Sequence, residues 1–129
     1  MENNLNYLFI PYKQALALKE LGFDEPCFVY WVYNRVEITF STSHNKSGWS
    51  MIGFKNNQMD KKAGLCTAPT FSQAFRWFRE KYKKVDYPEF DYDEQKWYCH
   101  SNYQSRILFD TYEEAELECL KKLIEIVKE

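Results

Sequence analysis

The sequence predicts an α+β domain: a small antiparallel sheet of about five strands with three helices, in the order α-β-β-β-α-β-β-α. Three observations carry this reading. An apolar, aromatic and β-branched run at 27–33 is followed by alternation at 36–41, the signature of a hairpin. Phe71, Ala74, Phe75, Phe78 and Tyr82 recur at helical spacing behind Thr70 and Gln73, a capping-box pair. Thr111 and Glu114 repeat that box ahead of Tyr112, Ala115, Cys119, Leu123 and Ile126. Helices interspersed with hairpins favour helices packed against an antiparallel sheet.

The first helix is expected between Pro11, which suits an opening position, and Gly22, which suits a close. Ala15, Leu18 and Leu21 give it an inward stripe. In the hairpin, Asn34-Arg35 reads as a two-residue turn, which pairs Tyr33 with Val36, Trp31 with Ile38 and Val29 with Phe40. That face is core. The other face collects Phe28, Tyr30, Val32, Glu37, Thr39 and Ser41. Residues 43–49 read as polar loop, 50–54 as a third strand and 56–68 as loop. After the helix at 71–82, the acidic stretch 86–94 reads as a solvated connector around Pro88. Residues 96–100 and 106–109 read as two more strands, and 111–129 as the last helix. The expected core includes Val29, Trp31, Ile38, Phe40, Phe71, Phe75, Phe78, Leu120 and Leu123.

The 129 residues suit one domain, with no linker, repeat or low-complexity tract to divide it. Rings make up 19% of the chain, more than a single small core readily uses, so the surplus points to a binding surface. Net charge is −2, which gives no global attraction to nucleic acid or anionic membrane. No apolar run reaches the roughly 18 residues of a membrane span. The start of the chain lacks the basic and apolar pattern of a secretory signal. The four cysteines are widely spaced with no CxxC, which predicts reduced thiols in a cytoplasmic protein.

Three stretches resemble a family of small uncharacterised proteins of phages and prophages of Bacteroides-type bacteria. They are LKELGFDEPCF (18–28), APTFSQAFRWFREKY (68–82) and TYEEAELECLKKLIEIVKE (111–129). The resemblance implies a mobile-element setting and the cytoplasm of an infected cell. It implies no activity and no catalytic residues.

Among candidate sites, the second face of the hairpin mixes rings with polar groups, as ligand clefts do. It supplies Phe28, Tyr30, Glu37, Thr39 and Ser41, with Arg76, Trp77 and Arg79 as a rim if the helix at 71–82 lies alongside. The same helix, basic on one side with Trp77 beside it, is the feature a nucleic-acid accessory protein would use. Leu117 and Ile124 widen the apolar arc of the last helix and suggest a homodimer through it. Glu116 lies on that helix among apolar residues, where the bland reading is contact with water near the helix start.

No metal set is expected: Cys99 and His100 are adjacent and point to opposite faces of a strand. No cofactor is expected. GxGxxG, Walker A and GxSxG patterns do not occur, which disfavours nucleotide and serine-hydrolase chemistry. The sequence therefore favours a non-enzymatic interaction or small-ligand-binding protein, acting on a host protein or metabolite. A nucleic-acid-binding accessory protein is the alternative, and an enzyme of unrecognised type comes third.

Overall fold

The structure, a computed structural model, describes residues 6–32, 35–37, 42–45, 48–51, 53–58 and 65–128. Among the described residues it is α+β with three α-helices. Its contacts divide the chain into two compact units, Met1–Thr70 and Phe71–Glu129. The expectation of one domain is a question of cooperativity, decided by whether probes in both units report a single unfolding transition.

In the first unit, helix α1 (Tyr12–Glu20) starts after Pro11 and ends in a left-handed Gly22, φ 97°. Phe23 N–H reaches Leu18 O at 2.9 Å and Gly22 N–H reaches Lys19 O at 3.0 Å. That is the paired closure that glycine permits at a helix end. Strand β1 (Tyr30–Val32) is central in a three-stranded antiparallel sheet, between β2 (Arg35–Glu37) and β5 (Leu65–Thr67). Helix α1 packs on β5, and Lys19 Nζ donates to Leu65 O at 2.6 Å. Trp31, buried in β1, donates from Nε1 to Ile10 O at 3.0 Å. Cys27 and Phe54 exchange two backbone bonds at 2.8 Å. Beside them, a Cβ on Gly53 would fall 2.4 Å from Pro26 Cβ and 2.9 Å from Cys27 N, so this approach needs glycine. Strands β3 (Thr42–Asn45) and β4 (Gly48–Met51) form a separate antiparallel pair.

In the second unit, helix α2 (Phe71–Tyr82) is followed by a hairpin of β6 (Pro88–Asp91) and β7 (Lys96–Cys99). Asp91 Oδ1 accepts from Asp93 N–H at 3.0 Å and Glu94 N–H at 3.2 Å, which tightens the turn. A short 3-10 turn, His100–Asn102, leads on to a single bridge between Trp97 and Phe109. Helix α3 (Tyr112–Lys128) packs on α2, β6 and β7. Its start carries the predicted cap: Thr111 Oγ1 accepts from Glu114 N–H at 3.2 Å and donates to Glu114 Oε1 at 2.9 Å.

Several expectations need correction. The described residues hold seven strands in three small sheets, not about five in one. The stretch 43–49 contains strand residues of β3 and β4. β3 is polar, and in β4 Trp49 and Met51 alternate with Gly48 and Ser50 over too few residues to mark a strand without its partner. The third strand ends at Met51, and Phe54 makes only an isolated bridge. The acidic connector contains β6: Pro88 occupies its first position, where a missing N–H is tolerated. Residues 106–109 keep one bridge instead of a strand. In the first hairpin, Trp31 pairs with Val36 and Tyr30 with Glu37, two residues short of the predicted partners. A shift of two preserves the face of each residue, because strand side chains alternate with period two. Tyr33, Asn34, Ile38 and Phe40 lie outside the described residues.

The helix faces are also rotated. In α2, Ala74, Trp77 and Phe78 are buried, while Phe71 and Phe75 are only half-buried. The bulky Trp77, three residues from Ala74, takes the inward position that Phe75 was expected to hold. In α3, Ala115, Cys119, Leu120, Leu123 and Ile124 are buried, and Ile126 is exposed. Val29, Trp31, Phe78, Leu120 and Leu123 are core as expected. All four cysteines are buried free thiols.

Candidate functional site

The β6–β7 hairpin has two unlike faces. Cross-strand partners share a face, so Phe90 with Trp97 and Pro88 with Cys99 form one, and Glu89 with Tyr98 and Asp91 with Lys96 the other. The first face meets α3: Trp97 packs edge-on against Tyr112 with ring centres 5.0 Å apart, and Cys99 Sγ donates to Ala115 O at 3.4 Å. The second face carries a polar network whose hub is Glu89.

Glu89 Oε2 accepts from the Tyr98 hydroxyl at 2.6 Å, and Glu89 Oε1 pairs with His100 Nδ1. These bonds hold the Glu89 carboxyl below the usual carboxylate range, Tyr98 first and His100 second. The same bond raises the Tyr98 phenol. His100 stacks on Tyr87 at 4.6 Å between ring centres, with planes 13° apart. The Arg106 guanidinium lies over the Tyr98 ring at 4.8 Å and bonds Asp91 Oδ2 at 2.5 Å. Tyr98 is thus buried beneath a fixed cation. Around this network Tyr87, Tyr103 and Ile107 are exposed, and Tyr92 at the turn is 83% exposed.

Behind the hairpin, Asp86 is buried and accepts three hydrogen bonds. Its Oδ1 accepts from Tyr87 N–H at 2.9 Å and Ser101 N–H at 3.0 Å, and its Oδ2 accepts from Ser101 Oγ at 2.7 Å. Cys99 and Cys119 lie against each other, hydrogen-bonded thiol to thiol. Burial is the main cause that pushes both thiols up, and the Asp86 charge adds to it. An open depression of about 290 Å³ lies nearby, lined by Ser101, Asn102, Lys122, Glu125 and Ile126.

The residues singled out in the sequence are placed as follows. Phe28 is 51% exposed, and Tyr30 is half-buried against the Phe54 ring at 5.0 Å. Glu37 is the register partner of Tyr30. Thr39 and Ser41 lie outside the described residues. Arg76 and Arg79 are exposed on α2. Trp77 is a correction: it is 7% exposed, packed edge-on against Phe78 and Tyr82, so it offers no open ring face at a rim. Ile124 is another. It is 5% exposed within the chain, so a dimer through Leu117 and Ile124 loses one of its two anchors, and Leu117 is half-buried. Glu116 is half-buried, hydrogen-bonded to Tyr112, and raised by burial and by Glu113. Cys99, at the end of β7, is buried, and His100, at the start of the 3-10 turn, is exposed. The Glu89 hub lay in the stretch read as a solvated connector. Only the alternation of Glu89 and Asp91 with Pro88 and Phe90 signalled a strand there.

Among the described residues, no helix is long and apolar enough to cross a membrane. No protein-family model, curated protein or solved structure matches the chain.

Proposed function

We propose that the chain is a non-enzymatic binding protein whose second unit docks a partner protein through the Glu89 face of the β6–β7 hairpin. The carrying observation is the network itself. Tyr87, Glu89, Tyr98, His100 and Arg106 hold one another in place next to exposed Tyr103 and Ile107. Tyr and Arg are the residues enriched at protein interfaces, and rings already locked by neighbours lose little freedom on binding. The remaining N–H groups of Arg106, and the exposed Lys83 and Lys84 just ahead of Tyr87, suit a segment bearing carboxylates. The phage setting implied by the three stretches belongs to this proposal: a phage product that binds a protein of the infected cell.

Nucleic acid is the competing partner. Exposed Arg76 and Arg79 favour it, whereas the buried Trp77 and the exposed Asp93, Glu94 and Asp110 oppose it. The test is affinity capture from nuclease-treated host extract, read by quantitative mass spectrometry. It compares wild type, Y87A/Y103A and R76E/R79E, each matched in melting temperature. One protein that is lost with Y87A/Y103A and kept with R76E/R79E is expected. Identical profiles for Y87A/Y103A and wild type would overturn the proposal. So would co-purifying nucleic acid, in extract without nuclease, that disappears with R76E/R79E.

A further inference from the structure

We infer that Asp86, Cys99 and Cys119 form a binding site for a zinc ion. The three come from different parts of the second unit: the approach to β6, the end of β7 and the middle of α3. All are buried, and one ligand atom from each lies within 4.8 Å of the other two. An ion centred in the plane of a triangle whose edges do not exceed 4.8 Å stands at most about 2.8 Å from each corner. Movements of at most roughly 0.5 Å for sulfur and 0.8 Å for oxygen then give the Zn–S distance of about 2.3 Å and Zn–O of about 2.0–2.2 Å.

Donor chemistry selects the metal. Two sulfurs and a carboxylate oxygen suit a borderline-soft divalent ion, not magnesium or calcium, which take all-oxygen sets. The carboxylate is already aimed. Tyr87 N–H, Ser101 N–H and Ser101 Oγ hold it, which is the outer support that metal-ligating carboxylates commonly have. Ser101, which holds the carboxylate, is itself exposed and lines the open depression. Binding exchanges two S–H bonds for two Zn–S bonds and releases two protons to solvent. Affinity therefore rises with pH for as long as the unbound thiols stay protonated. An ion here ties α3 to the hairpin, so it stabilises the second unit. This reading shares no binding group with the docking face and stands or falls without it.

The test uses the whole chain, reduced and stripped of metal, titrated with Co2+ as a spectroscopic stand-in and then with Zn2+. Expected is one equivalent of Co2+ with a thiolate charge-transfer band and the visible bands of a four-coordinate ion, displaced by Zn2+. C99S and C119S should each abolish the band, and S101A should weaken binding about 10–100-fold. C27S/C66S, which leaves the second unit's cysteines intact, should keep it. If a cysteine variant fails to fold, the wild-type spectrum together with C27S/C66S still decides the matter. Absence of a thiolate band in wild type, or its loss in a folded C27S/C66S protein, would overturn the assignment.

Discussion

Asn56 and Thr67 are joined side chain to main chain: Asn56 Oδ1 accepts from Thr67 N–H at 2.9 Å. The other end of the same amide donates from Nδ2 to Phe23 O at 2.7 Å. One buried side chain thereby links the exit of α1 to β5 and satisfies two backbone groups that water does not reach.

Asn56→Ala should cost about 2–3 kcal/mol, because it strands a buried donor and a buried acceptor together. Asn56→Asp should also destabilise, since a carboxylate cannot donate to Phe23 O. Urea unfolding measures both. A change of less than about 0.5 kcal/mol for Asn56→Ala would show that the bridge is dispensable.

The rotation of α2 sets an order among ring truncations. Phe78→Ala, at a fully buried site, should cost about 3–5 kcal/mol. Phe75→Ala, at a half-buried site, should cost clearly less. Equal losses in denaturant titrations would return Phe75 to the core.

Cys66 gives a pH window. Burial pushes its thiol from the ordinary 9.0 up to about 11, with nearby Lys19 opposing. A raised folded value means that its contribution is complete below pH 9. It is lost as pH climbs from 9 to about 11, by on the order of 2 kcal/mol. The stability difference between wild type and Cys66→Ala should therefore shrink across that range. A constant difference would mean that the thiol titrates equally in folded and unfolded chains.

Glu116 should behave as a burden at neutral pH. Burial raises its carboxyl in the folded state, so the protonated form is favoured there. Its contribution is present below the ordinary 4.5 and is lost as pH rises through the folded value. Glu116→Gln should raise the melting temperature at pH 7 and lose that advantage below pH 4. A fall in melting temperature at pH 7 would mean that the Tyr112 bond outweighs desolvation.

Helices were the legible part of this fold. Pro11 and Gly22, Thr111 and Glu114, and the aromatic repeat of α2 are local signals, and local signals are what a sequence displays. The face a helix buries is less visible. Phe75 and Trp77 are both credible inward residues, and their neighbours in space choose between them. Strands β3, β5 and β6 are short or polar, and their identity comes from partners distant along the chain. The Glu89 network illustrates this well: Tyr87, Glu89, Tyr98, His100 and Arg106 meet only once the hairpin closes. The same holds for Asp86, Cys99 and Cys119, spread over more than thirty residues.

The burial of all four thiols gives each half of the molecule its own clock. Alkylating reagents react with thiolate at an accessible sulfur; here burial withholds accessibility from all four, and it also disfavours the charge at Cys66, Cys99 and Cys119. Modification must wait for a local opening, so its rate counts openings as amide exchange does. Cys27 and Cys66 keep time for residues 1–70, and Cys99 and Cys119 for residues 71–129. Matched rates in both pairs would mark one cooperative body, whereas divergent rates would mark two that breathe apart. Zinc added to the medium should slow the second clock and leave the first unchanged.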